Sequence, residues 1–154
     1  IDPRIIEEAL LGHAAVALAA AVGKPDAYAG ELPVAYVQRV PGAKASSEEI
    51  ADHVRGHIAE RAANPVDIWF MEALPQTAVG KIYKPALRLD AARRAFEAAL
   101  EPLAAAIEVD VATHPVHGTL ATITANSSER AKLESQIGAI LGAFAIPHEI
   151  KWID

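Results

Sequence analysis

Apolar positions follow two periods along this chain, a helical one and the short runs or alternations of strands. Asp2-Pro3 sets an N-cap carboxylate before a proline at the first helical position, and Ile5, Ile6, Ala9 and Leu10 then form one stripe ended by Gly12. Val16 to Val22 is a continuous apolar run of strand length, and Gly23-Lys24-Pro25-Asp26 predicts a turn behind it. Pro33 to Val40 predicts a second strand, antiparallel to the first because the connection is short, and Pro41-Gly42 closes it. Ser46 with Glu49 makes a capping box, and Ile50, Val54, Ile58 and Ala62 mark a buried helix face that stops at Asn64-Pro65. Val66 to Met71 predicts a third strand, Pro75 to Lys84 a polar loop, and Pro85 the start of a third helix with Leu89, Ala92, Phe96 and Ala99 on its core face. Residues 1–103 thus read as an α+β domain with three helices on a small sheet.

The remainder repeats this alternation on a smaller scale. Ile107, Val109 and Val111 alternate, as do the residues around Leu120 to Ala125, with a turn at His114 to Gly118 between them. A helix after Ser127-Ser128 buries Leu133, Ile137, Ile140, Leu141 and Phe144, and His148 to Ile153 is a last strand. Residues 104–154 form a ββαβ appendage of roughly 50 residues, too small to bury an independent core comfortably, so it is expected to dock on the first domain or to self-associate.

Composition narrows the partners. The 154 residues are 52% hydrophobic, with 34 alanines. Leu, Ile and Val remain in sufficient number for a core. Fourteen Lys and Arg against 20 Asp and Glu give a net charge of -6, which argues against a generally basic nucleic-acid or membrane surface. No apolar run is long enough for a transmembrane segment, and no cysteine is present, so disulfides, thiolate metal sites and cysteine catalysis are excluded. A reducing, cytoplasmic location is expected. Residue 1 is Ile rather than Met, as expected of a piece of a longer chain.

Gly80-Lys81 carries the local chemistry. A glycine lets the backbone approach a ligand closely, and a compact ammonium on a flexible stem suits phosphate or carboxylate charge. A phosphate-binding P-loop is excluded, because Pro75 stands where its first glycine belongs and Ile82 where Ser or Thr would meet magnesium. From these residues alone, a solvated loop lysine behind a turn glycine remains the simpler reading.

Leu74-Pro75-Gln76-Thr77-Ala78-Val79-Gly80-Lys81-Ile82 resembles the C-terminal signature Pro-x-Thr-x-x-Gly-Lys-Ile of the adenylate-forming, AMP-forming acyl-CoA synthetases. Ile5 to His13 resembles that family's helix after its interdomain hinge, and Ala19 to Asp26 with Gly30 to Val37 resembles its central hairpin. Ser46 to Glu49 matches an acidic helix start, and Ala86-Leu87-Arg88 the close, so the ordered series covers residues 1 to about 90. Gln76, Lys84 and Pro85 depart from the usual pattern, which has a basic residue beside the threonine and an arginine two residues after Lys-Ile.

The resemblance implies the small C-terminal lid of an enzyme that converts a carboxylic acid, ATP and coenzyme A to acyl-CoA, AMP and pyrophosphate. A missing N-terminal adenylating domain would hold ATP, the acid and magnesium, and the lid alone would be inert, with no cofactor bound and no metal site. Lys81 would be the catalytic cation of adenylation, withdrawn when the lid rotates for thioester formation. Gly80, Thr77, Gly30 and Arg55 are the cofactor-binding candidates, with Arg61 a further option for the coenzyme's phosphates. The context of Lys81 also resembles the family's site of reversible acetylation, which implies an acetyltransferase and deacetylase as partners. The competing reading is a free-standing interaction or regulatory module, acting in dimerisation through the appendage or in ligand sensing.

The remaining polar groups carry plainer expectations. His53 and His57 are four apart on a helix, a spacing that can chelate a metal, but no glutamate completes such a motif and a solvated pair is expected. His114 and His117 are read as turn residues. Glu7-Glu8 and Glu48-Glu49 are expected in first helical turns, where carboxylates favour the dipole. Of Trp69 and Phe70, at least one should be core.

Overall fold

A computed structural model describes residues 2–154. Among the described residues the fold is α+β, with four α-helices and two three-stranded sheets, and packing divides it into two compact units. The first takes the chain up to Lys24 together with Leu32–Arg88; the second takes Pro25–Glu31 with Leu89–Asp154. The sequence reading divided the chain after residue 103, whereas the packing counts Leu89 onward with the C-terminal elements.

In the first unit, helix α1 spans Pro3–Leu11, and Asp2 caps it by accepting the Arg4 amide at 2.9 Å. Strand β1 (Val16–Asp26) and strand β2 (Gly30–Arg39) form a hairpin, and β3 (Asp67–Phe70) lies parallel to β2 with Tyr36 opposite Trp69. The continuous run in β1 is explained by burial on both faces: Ala19 and Ala21 point one way, Ala20 and Val22 the other, and all four are buried. Against the first of these faces pack Ile6 and Leu10 of α1, and Ile50 and Val54 of helix α2 (Ser47–His57), in one core with Ala35, Val37 and Ile68. The capping box at Ser46 forms as expected, Ser46 Oγ accepting the Glu49 amide at 3.1 Å.

Several boundaries differ from the sequence reading, the ends of β1 and α2 most. β1 does not turn at Gly23 but runs on to Asp26. It is an edge strand, where a proline's missing donor costs no ladder bond, and Lys24 Nζ is held 2.8 Å from Asp67 Oδ2 and 6.0 Å from the Trp69 ring centroid. The turn falls at Ala27 to Ala29, whose end is closed by the Asp26 carboxylate accepting the Tyr28 and Ala29 amides. α2 ends at His57, short of Ala62. Gly56 in its last turn and β-branched Ile58 beyond it both disfavour continuation, and Ile58 leaves the helix extended, with φ -118°, while still entering the core. Ala63, in a short 3-10 turn, is buried in place of Ala62.

Helix α3 covers Lys84–Leu100, and its residues from Leu89 onward belong to the second unit. There β4 (Glu108–His114) pairs antiparallel with β5 (Gly118–Asn126), helix α4 (Arg130–Leu141) follows, and β6 (His148–Ile153) returns parallel to β5. The expected ββαβ order is therefore present. Its core joins Val111, Ala121, Ile123 and Ala125 of the sheet to Leu133, Ile137 and Leu141 of α4 and to Ala92, Ala95, Phe96 and Leu100 of α3. Phe96 meets Phe144 edge to face, with ring centroids 4.9 Å apart.

Candidate functional site

The segment after β3 is more ordered than a polar loop. Gln76 and Ile82 pair across it as an antiparallel bridge, and the Tyr83 amide donates to the Pro75 carbonyl at 2.8 Å. Inside that frame the Thr77 amide donates to Lys81 O at 2.7 Å, and the Gly80 amide returns to Thr77 O at 2.9 Å. The Thr77 hydroxyl accepts the Lys81 amide at 3.2 Å. These bonds make a tight hairpin with Gly80 at its left-handed position, φ +82°. Nothing lies within 4 Å of the place a Cβ would occupy at Gly80, so this glycine answers to the backbone's hand and not to a neighbour inside the chain.

Thr77, Gly80 and Lys81 are thus brought together in one hairpin, with Lys81 exposed at its rim. Among the described residues, no carboxylate forms an ion pair with Lys81. Its amide and that of Gly80 are consumed within the turn, so Lys81 offers its ammonium rather than its backbone. Both ends of the hairpin are tethered. On the entering side, Gln38 Oε1 of β2 accepts the amide of buried Leu74 at 2.9 Å. On the leaving side, Lys84 Nζ lies 2.8 Å from Glu7 Oε2, which also accepts the Ala21 amide of edge strand β1 at 2.9 Å.

The sequence reading missed both tethers. It placed Glu7-Glu8 in a first helical turn; the first turn of α1 carries no acidic residue, and Glu7 is turned instead toward β1 and Lys84. Glu48 and Glu49 do occupy the first turn of α2. The one signal pointing at Lys84 was its place in the motif; Gln38 had none, being a polar residue in a strand.

Arg55 lies on α2 and pairs with Asp52. Gly30 opens β2 with φ +79° and belongs to the second unit. His53 and His57 stack, with centroids 4.2 Å apart, while His13 meets His53 edge to face. His53 Nε2 lies 3.0 Å from the Ala9 carbonyl, so the ring ties α2 to α1 as a donor. No cluster of three or more His, Asp or Glu side chains among the described residues could hold a metal ion. His114 Nδ1 accepts the Val116 and His117 amides and so closes its turn. Trp69 meets buried Tyr36 edge-on at 5.4 Å, and Phe70 packs at the first core with the Arg39 guanidinium 4.0 Å over its ring. No helix among the described residues is long and apolar enough to cross a membrane.

A model of the AMP-binding enzyme C-terminal domain matches residues 5–81. A marinolic acid–CoA ligase of Pseudoalteromonas sp. is 53% identical over 90 residues, which are 58% of this chain and 14% of that ligase. An acyl-CoA synthetase structure from Brucella canis superposes with a TM-score of 0.55 at 39% identity, covering 59% of this chain and 17% of that one. The anthranilate CoA ligase AuaEII in complex with anthranoyl-AMP gives a TM-score of 0.56 at 32% identity, over 62% of this chain and 19% of the ligase. The chain therefore spans well under a quarter of the length of each of these proteins.

Proposed function

Because the chain belongs to the AMP-binding enzyme C-terminal domain family, we propose that it is the lid of an AMP-forming acyl-CoA synthetase and that Lys81 is its adenylation lysine. The observation that supports this most directly is the hairpin of Thr77 to Lys81, which presents a cation without an ionic partner among the described residues on a hydrogen-bonded backbone frame.

The chemistry calls for such a group. A carboxylate oxygen attacks the α-phosphorus of ATP, pyrophosphate leaves, and two anions must approach while charge grows at phosphorus. An ammonium between them offsets the repulsion in the transition state, where a pre-placed cation is most effective. In the second half-reaction the coenzyme A thiol attacks the acyl carbon and AMP leaves, a step that needs no cation at the phosphate. Rotation of the lid withdraws Lys81 for that step. ATP, magnesium and the acid are held by an adenylating domain, and coenzyme A meets the lid elsewhere than at Lys81, with Arg55 as the candidate contact in the first unit and Gly30 as a separate candidate in the second. Thr77 and Gly80 act by shaping the turn. The lid by itself is inert, and the whole enzyme is cytoplasmic.

Lys81→Ala in the whole enzyme is expected to lose about 3 kcal/mol of adenylation transition-state stabilisation, a hundredfold or more in rate. Thioester formation from supplied acyl-adenylate should persist. Equal loss of both half-reactions would remove Lys81 from this role. Acetylation of Lys81, which deletes its charge, would switch off the first half-reaction alone; its absence by mass spectrometry from cells grown under acetylating conditions would dismiss this regulation.

A second reading concerns the ββαβ elements, which lie beyond the matched residues 5–81. They serve self-association or ligand sensing, as an interaction module carried by the lid. A monomeric, fully active enzyme truncated after residue 103 would eliminate it.

A further inference from the structure

We propose that the Glu7–Lys84 pair is the device that places Lys81 for adenylation, with Glu7 and Lys84 as positioning residues; this rests on the adenylation role of Lys81 given above. Lys81 and Lys84 are three residues apart and in opposite situations. One ammonium is exposed and without an ionic partner among the described residues, while the other is 2.8 Å from Glu7 Oε2. Lys84 opens α3, directly behind the Tyr83 amide that closes the base of the hairpin on Pro75. Fixing the Lys84 side chain therefore fixes the exit of the hairpin, and with it the direction from which the Lys81 stem departs.

The anchor is itself anchored. Glu7 Oε2 also accepts the Ala21 amide at 2.9 Å, an edge-strand donor with no neighbouring strand on that side among the described residues. One carboxylate oxygen thus joins α1, β1 and the start of α3. The side chains of Lys84 and Glu7 are only 26% and 18% exposed, so solvent screens this pair less than a surface pair. The hairpin's own bonds hold its shape; its orientation is set from outside, by buried Leu74 and Leu87 on its flanks and by the polar tethers to Gln38 at one end and Glu7 at the other. A catalytic cation displaced by about 1 Å can lose up to a hundredfold in rate without any loss of fold.

The test compares Lys84→Met, Lys84→Arg and Lys81→Ala in the whole enzyme. Lys84→Met removes the charge and leaves the bond between Glu7 and Ala21 in place. Adenylation is read as ATP–pyrophosphate exchange with whichever of acetate, octanoate and benzoate supports it fastest. Lys84→Met should lower kcat for exchange by roughly ten- to a hundredfold with KM for ATP unchanged, and Lys84→Arg should restore most of it. Thioester formation from supplied acyl-adenylate should stay within about twofold. Hydrogen exchange over residues 75–84, which needs no substrate, should quicken in Lys84→Met and not in Lys84→Arg. Unchanged adenylation, unchanged hydrogen exchange, or equal loss of both half-reactions in Lys84→Met would each overturn the positioning role. Exchange activity that survives Lys81→Ala would overturn the underlying adenylation reading; activity lost in Lys81→Ala and kept in Lys84→Met would overturn the positioning role alone.

Discussion

Glu7 Oε2 and Lys84 Nζ, from opposite ends of the first unit's sequence, meet at 2.8 Å, and the same oxygen accepts the Ala21 amide. Removing Glu7 therefore strands two donors, one of them a backbone amide. Glu7→Ala should lower stability by about 2 kcal/mol and Lys84→Met by about 1, with a coupling of at least about 0.5 kcal/mol in the double variant. Denaturant unfolding of the four chains measures it; strict additivity would show that the pair contributes nothing.

Gly80, at φ +82° with open space around its missing Cβ, should report backbone hand alone. Gly80→Ala is expected to cost about 1 kcal/mol, and Gly80→Asn less, because asparagine tolerates the left-handed region. If alanine and asparagine cost the same, conformation is not what selects glycine here.

Ser46 accepts the Glu49 amide at the start of α2. Ser46→Ala should cost about 1 kcal/mol and Ser46→Asp close to nothing, since aspartate caps as well and complements the dipole. A melting temperature unmoved by alanine would show that the cap is not used.

Phe96 is fully buried and touches Phe144, in the core that α3 shares with the second sheet. Phe96→Ala should cost about 3–5 kcal/mol by opening a cavity. Calorimetry would show the loss, and a cost below about 1 kcal/mol would mean that the site collapses freely.

Asp2 is held below the ordinary carboxylate value of 3.8, first by its side-chain hydrogen bond with Arg4 and then by the Arg4 amide. Its folded value lies below its unfolded one, so its contribution is present above the ordinary value and disappears as pH falls through the folded one. Asp2→Asn keeps the cap and should flatten the acid side of the stability profile. An unchanged slope below pH of about 4 would exclude this carboxylate as a source.

What was legible in the sequence was short in range. The Asp2 cap, the Ser46 box, the Ile50–Val54 face and the alternation in β4 and β5 each involve residues within a few positions of one another, and each is present. The end of β1 was not legible, because Pro25 is accommodated by an edge set elsewhere in the chain; the end of α2 was signalled locally by Gly56 and Ile58 but masked by the apolar spacing that runs on to Ala62. At the candidate site the same division holds. Gly80 and Lys81 announced themselves through their motif, whereas Gln38 and Glu7 act across 36 and 14 positions respectively, where no local pattern reaches.

The hairpin from Pro75 to Tyr83 bonds the amides of Thr77, Gly80, Lys81 and Tyr83 within itself. Its ordering entropy is therefore settled when the chain folds and is not charged against substrate binding. What stays unfrozen at Lys81 is a single side chain, so under the proposed adenylation role four torsions are what remains to be ordered in the hairpin once the lid is in place.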